Sequence, residues 1–477
     1  MEKLIRKYKD ASPTVRASMA LLLSNIILKG LSMISGPIFT RIMPMDQYGI
    51  VSTFTSWQGV LSSVVTLNLA SGVFNNGMLD FEDDRDAFEL SLLFLSTISA
   101  FIWGFFFLLF KDWFISFAKI PIECFVIMFI YFVSVPAFSL WSGRQRYEYK
   151  YRALSTITIL SAVLSLVIGI IGVSSVPQNR TAMTRIIVME GVNIVVGLFF
   201  YGLIVFRARF KVNFSYCKYA LKFNLPLVPH YLSMYVLSSS DRIMITRMVN
   251  ASATAIYSVA YTAASVINIV WQSVDASLAP WIYEKLRAED ITSVKKVTVK
   301  IILLFAVICL LCTLFSPEIM MILAPAEYRS GIYVIPPVTA GCFFIAIYSL
   351  YMRLELYHKQ TGFATIATSI AAVFNILLNY IFIRLYGPVA AGYTTLACYA
   401  LLSMLHYLNV KRKGFSNCID NKVLLIVSIS VITCSIFIVL LYDYPFIRFG
   451  IILLILVISV LFRHQIRTIL KGLRSNE

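Results

Sequence analysis

The stretch Ala17–Thr40, ASMALLLSNIILKGLSMISGPIFT, decides the fold. It is long and apolar enough to cross a hydrocarbon core of about 30 Å as one helix, yet Lys29 stands near its middle. Asn25, Lys29, Ser32 and Gly36 recur at i, i+4, i+7 and i+11, so they share one helical face. Lys29 lies about 12 residues, roughly 18 Å, from either end of the span, too deep to snorkel easily. A lysine at that depth costs at least about 2.5 kcal/mol unless it faces water or a partner. The polar face therefore reads as the lining of a central cavity, weighed against a structural ion pair with another helix.

The rest of the chain repeats the apolar theme. Of 477 residues, 59% are hydrophobic and 14% charged, where a soluble domain carries roughly a quarter charged. An ordinary soluble domain is excluded. The hydropathy pattern predicts an all-α polytopic membrane protein with about 14 spans, near 17–40, 49–73, 88–110, 122–140, 153–173, 186–206, 223–247, 254–280, 298–316, 331–350, 361–384, 388–410, 422–441 and 446–462. The connecting loops are too short to form separate domains. The polar start MEKLIRKYKDASPTVR is not expected to act as a cleavable signal.

The formal charge of +17 is explained by topology rather than by nucleic acid. With the N-terminus in the cytoplasm, 30 of the 41 Lys and Arg fall in cytoplasmic segments and nine outside, with Lys29 and Arg242 inside spans. That bias predicts an even number of spans with both termini in the cytoplasm. The acidic run Asp80 to Glu89 reads as a solvated cytoplasmic loop. Eight cysteines are present; Cys309 and Cys312 form a CxxC inside a span, with no second pair, which fits apolar burial better than metal or redox chemistry. No metal or cofactor is expected. No P-loop, GxSxG or HExxH occurs, so a soluble-enzyme site is not expected either.

A shift of 206 residues overlays the first span on the seventh. Thr40-Arg41-Ile42-Met43 meets Thr246-Arg247-Met248-Val249, Ile50 meets Ile256, Ser52 meets Ser258, and Ala70-Ser71 meets Ala276-Ser277. Spans 1–6 thus pair with spans 7–12 in the same orientation, the pattern of parallel transporter repeats with the substrate path between two bundles. The expected division is 1–206 for the first six-helix bundle, 207–410 for the second, and 411–477 for two further spans and a tail. The same shift carries Asn25, Lys29, Ser32 and Gly36 onto Tyr231, Tyr235, Ser238 and Arg242, a second polar stripe with its cation nearer the outer side. Pro226 and Pro229 are expected to interrupt the inner end of span 7.

Several further residues are candidates. Arg41 and Arg247, repeat-related at the outer ends of spans 1 and 7, read as interfacial anchors or outer-gate cations. Glu190, Asp241 and Asp275 are carboxylates within spans, suited to ion coupling or to pairing with arginine. Asn268, Gln272 and Asp275 share a face of span 8, and Asn375 and Asn379 on span 11 read as interhelical hydrogen-bonding groups.

The stretches Gly36–Trp57, GPIFTRIMPMDQYGIVSTFTSW, and Ser238–Ile267, SSSDRIMITRMVNASATAIYSVAYTAASVI, resemble the bacterial polysaccharide-biosynthesis flippases. These are the O-antigen transporter group of the multidrug/oligosaccharidyl-lipid/polysaccharide exporter superfamily. The resemblance implies a cargo, an oligosaccharide repeat unit on undecaprenyl pyrophosphate, moved from the cytoplasmic to the outer leaflet by alternating access. It also implies membrane lipid and other polysaccharide-assembly proteins as partners. A pyrophosphate needs a cation in a wet cavity to cross the core. Lys29 and Arg242 would supply that charge, while Asn25, Tyr231, Tyr235 and Asn268 would bond or stack on sugars. The competing readings are a cation-coupled drug exporter of the same fold, disfavoured by a lysine in span 1 with no acid there, and a membrane polymerase or glycosyltransferase, disfavoured by the short outer loops.

Overall fold

In the computed structural model, which describes residues 13–359 and 362–461, the chain forms fourteen helices of 17 residues or more. They are α1 (Pro13–Ile42), α2 (Met45–Val65), α3 (Arg85–Leu109), α4 (Ile122–Tyr147), α5 (Tyr151–Ser174), α6 (Thr181–Arg207), α7 (Val228–Met248), α8 (Ala251–Arg287), α9 (Ile291–Leu314), α10 (Ile335–Tyr357), α11 (Gly362–Tyr386), α12 (Ala390–Arg412), α13 (Asn421–Val439) and α14 (Pro445–Leu461). The fold is the all-α polytopic membrane class. Lys3, Arg6, Lys7 and Lys9 at one terminus and Arg463, Arg467, Lys471 and Arg474 at the other, which weigh in the topology argument, lie outside the described residues.

The repeat is visible in the helix boundaries. The ends of α1 and α7 (Ile42, Met248), the starts of α2 and α8 (Met45, Ala251) and the starts of α3 and α9 (Arg85, Ile291) are each 206 residues apart. A short helix follows each third member, Lys111–Ala118 after α3 and Ser316–Leu323 after α9. By packing, the chain divides into two compact units, Met1–Ala255 and Ile256–Glu477. The repeat orders the helices along the chain, whereas packing groups α7 with the first unit, because α7 lies along α2.

Two local readings need correction. Span 2 does not run to residue 73. Its helix stops at Val65, and Leu67, Asn68 and Gly72 take positive φ (52°, 46° and 65°) before a short helix, Val73–Asp80. The break is held from outside: the buried Asn224 side chain donates to the carbonyls of Leu67 (2.8 Å) and Asn68 (3.0 Å) and accepts from the Val73 amide (3.4 Å). Pro226 interrupts the helical run as expected, whereas Pro229 does not. Residues Leu225–Leu227 form a single 3-10 turn and Pro229 sits in the first turn of α7, where its missing N–H costs nothing.

The acidic run is solvated only in part: Asp80, Glu82, Asp83 and Asp84 are exposed, and Asp86 and Glu89 are not. Helix α3 starts at Arg85, so Asp86 and Glu89 lie in its first turns, where the helix dipole favours carboxylates. Glu89 is 1% exposed and pairs with Arg144 of α4 (3.0 Å) and Arg207 of α6 (3.7 Å); Arg144 also binds Asp86 and Glu148. Tyr216 and Tyr219, on the helix Phe214–Asn224, donate to Asp84 (3.0 Å) and Asp80 (2.6 Å). The Tyr219 hydroxyl is pushed up to about 12, first by burial and then by that carboxylate. The run is thus a hub that clamps one end of three spanning helices over an aromatic core that includes Phe74, Phe88, Trp141 and Phe200.

Candidate functional site

The polar stripe of α1 is open. Asn25, Lys29 and Ser32 are exposed and Gly36 is half-buried, while Ser24, Phe39 and Thr40 of the same helix are buried. Among the described residues no carboxylate pairs with Lys29. An unpaired ammonium exposed at the middle of a span is compatible with water beside it and not with acyl chains.

Next to this stripe, α1, α4, α5 and α6 line an open cavity of about 350 Å³. Its polar wall is Ser32 and Ser35 of α1, Thr158, Ser161 and Ser165 of α5, and Arg185 and Asn193 of α6. The Arg185 guanidinium donates to the Ser165 carbonyl (3.2 Å) and lies 4.0 Å over the Phe39 ring. Gly169 makes this possible, since a β-carbon there would come within 2.6 Å of Arg185 Nη1. Asn193 donates to Glu190 at 3.1 Å, and Glu190 is 2% exposed. The arrangement offers one guanidinium and several hydroxyls to an anionic, hydroxyl-rich guest.

Helix α7 packs along α2 but leaves Tyr235, the repeat counterpart of Lys29, exposed. Thr246 meets Thr53 of α2 at 2.5 Å, Tyr235 lies against Gly59, and the Tyr231 hydroxyl reaches Gly72. Gly49 is required at the outer end, because any β-carbon would run into the Ala251 carbonyl at 1.8 Å. Tyr235 and Tyr131 border a smaller polar cavity of about 220 Å³ with Ser62, Thr66, Ser96 and Ser139. Arg242 is half-buried and donates to the Ser238 carbonyl (2.9 Å), and both Arg242 and Arg185 lie within electrostatic reach of Tyr48. Asp241 is fully buried. Arg41 turns back on the Pro37 carbonyl (2.8 Å), and Arg247 lies 4.0 Å over the Phe117 ring.

In the second unit, Asn268 is half-buried on α8 beside Cys342. Asp275, one helical face along, is held by Arg353 of α10 in a bidentate ion pair, with Nε–Oδ1 at 3.2 Å. Asn379 and Asn375 are joined at 3.1 Å, and Thr394 of α12 donates to Asn379, an interhelical bond of the kind the sequence suggests. Cys309 is buried and Cys312 half-buried, both as free thiols.

With this geometry in hand, comparison with known proteins is decisive for the family. The family model described as polysaccharide biosynthesis protein matches residues 14–286, more than half the chain. The chain belongs to that family. A curated relative, Lsg locus putative protein 1 of Haemophilus influenzae, is 30% identical over 121 residues. That match spans 24% of this chain and 30% of the relative, so the chain covers less than a third of its length. Among solved structures, the lipid II flippase MurJ in an inward closed conformation superposes with a TM-score of 0.65 at 15% identity, covering 95% of this chain and all of MurJ. A multidrug resistance MATE transporter of the MOP superfamily, inward-facing, gives 0.62 at 13% identity over 83% and 98% of the two chains. At such identities the likeness is one of fold. The polysaccharide biosynthesis family member described here is therefore a multi-pass membrane protein with the fold shared by a lipid flippase and drug exporters.

Sequence reasoning missed Arg185, Asn193 and Tyr131. Arg185 was counted with the outer charges, although α6 begins at Thr181 and places it one turn inside. The signal was available: at 100° per residue, Arg185, Asn193 and Val196 fall within an arc of about 80°.

Proposed function

We propose that this protein is a flippase that moves oligosaccharide repeat units linked to undecaprenyl pyrophosphate from the cytoplasmic to the outer leaflet of the cell inner membrane by alternating access. One observation carries the reading: the unpaired, exposed Lys29 at mid-span beside a hydroxyl-lined cavity with its own arginine. A pyrophosphate cannot enter the hydrocarbon core without such charge. Lys29, Arg242 and Arg185 bind the head group, and Asn25, Tyr231, Tyr235 and Asn268 contact sugar. Membership of the polysaccharide biosynthesis family supports a sugar cargo. Both termini lie in the cytoplasm, the protein works beside other polysaccharide-assembly proteins, and it performs no covalent chemistry.

Arg41 and Arg247 serve as outer-gate cations. Among the carboxylates, Glu190 suits ion coupling best, being buried close to Arg185; Asp241 is a second candidate, and Asp275 acts through its pair with Arg353. The alternative is a cation-coupled drug exporter, for which the same fold in a MATE transporter is the supporting observation.

A strain deleted for the protein tests the proposal. It should accumulate single lipid-linked repeat units facing the cytoplasm, and Lys29→Ala and Arg242→Ala proteins at normal membrane levels should fail to restore export. Normal export by both variants, or single units displayed outside the deletion strain, refutes it. Export of cationic dyes by the purified protein would favour the drug-exporter reading instead.

A further inference from the structure

The second unit holds a buried titratable pair that the transport reading leaves unused. Glu355, two residues before the end of α10, is 2% exposed, and His406 of α12 is 1% exposed. His406 Nδ1 lies 2.8 Å from Glu355 Oε2, and Asn409 Nδ2 donates to Glu355 Oε1 at 2.7 Å. Both carboxyl oxygens therefore face donors, the arrangement of an ionised carboxylate. With Nδ1 donating, the remaining lone pair of the imidazole is on Nε2, which is buried and has no hydrogen-bond partner among the described residues.

The neighbouring elements do not neutralise the carboxylate. Arg353 of α10 is committed to Asp275 of α8. Tyr348 of α10 stacks on the His406 ring at 5.7 Å, and Phe363 of α11 meets it edge-on at 5.8 Å. Tyr351 of α10 is bonded to Asn421 of α13, and Lys411 of α12 sits over the Tyr407 ring. His358 stacks on Phe415 at 3.5 Å, and Lys295 of α9 acts on Cys418. A neutral imidazole thus leaves one uncompensated negative charge in an apolar interior, which is costly.

We propose that Glu355 and His406 form an exchangeable proton-binding site. A hydronium ion gives its proton to Nε2 and leaves as water. The ring becomes imidazolium, and the pair passes from a net charge of −1 to neutral. Asn409, half-buried three residues before the end of α12, covers the carboxylate on the side of the helix ends. The site stands on its own geometry, whatever the protein carries. Coupling of this proton to transport rests on the flippase reading.

Nitrogen NMR of the purified full-length protein tests it without any transport assay. The chain has four histidines, and replacing His230, His358 and His464 by Gln leaves His406 alone. The expected result is reversible protonation of Nε2 on passing from alkaline to acidic buffer, with Glu355→Gln lowering the protonated fraction at a fixed pH about tenfold. An Nε2 signal unchanged by that passage in the protein with intact Glu355, or a Glu355→Gln protein that folds and titrates as before, overturns the proposal. The first outcome needs no acidic-site variant, so a Glu355→Gln protein that does not fold still leaves the question decided.

Discussion

The two units treat polar groups inside the membrane differently. In the first, Lys29 is exposed on α1, and Arg185 and Asn193 line a cavity instead of meeting carboxylates from other helices, although Glu190 and Asp241 are buried. Its strong ion pairs gather at one end of the helices, around Arg144 and Glu89. In the second, polar groups meet one another across helices: Asp275 with Arg353, Glu355 with His406 and Asn409, Glu318 with Arg448, and Asn379 with Thr394. A paired polar group holds helices in register, whereas an open one is left for a guest or for water.

The comparison can be broken in several ways. Asp275→Ala leaves Arg353 partly buried without its partner, and should lower stability by about 3–5 kcal/mol in detergent unfolding; an unchanged melting curve would remove the second unit's claim to be held by its pairs. Asn379→Ala strips the acceptor from a buried threonine and should cost about 1–3 kcal/mol in the same measurement. In the first unit, Gly169→Ala should push the Arg185 guanidinium off Phe39 and cut export about tenfold, the worth of roughly one charged hydrogen bond, with expression unchanged. Full export by that variant would take Arg185 out of the binding argument. Smallest of all, Lys29→Ala should shift stability by no more than about 0.5 kcal/mol, because an open side chain has no partner to orphan. A large loss would mean that Lys29 is structural after all.

Much of the fold was legible in the sequence because membrane helices announce themselves locally. The fourteen long helices were readable, nine of them long and apolar enough among the described residues to cross a membrane, and so was the repeat, whose spacing recurs in the helix boundaries. What misled was anything set by a distant residue. Span 2 looked apolar to residue 73, but its helix ends at Val65, in a break that Asn224 ties down from more than 150 positions away. Glu89 looked solvated because Arg144 and Arg207, its partners, come from other helices.

The sequence by itself determined the spans, the polar stripe on α1 and the misfit of Lys29, since hydropathy and helical periodicity depend only on near neighbours. Tertiary structure alone decided which charges are open and which are closed. Arg185 became a cavity residue because Gly169 and Phe39 make room for it. Asp275 and Glu355 became paired because α8, α10 and α12 bring Arg353, His406 and Asn409 to them. A charge's worth in a membrane depends on what lies within about 4 Å of it, and for these residues that neighbour is far away in sequence.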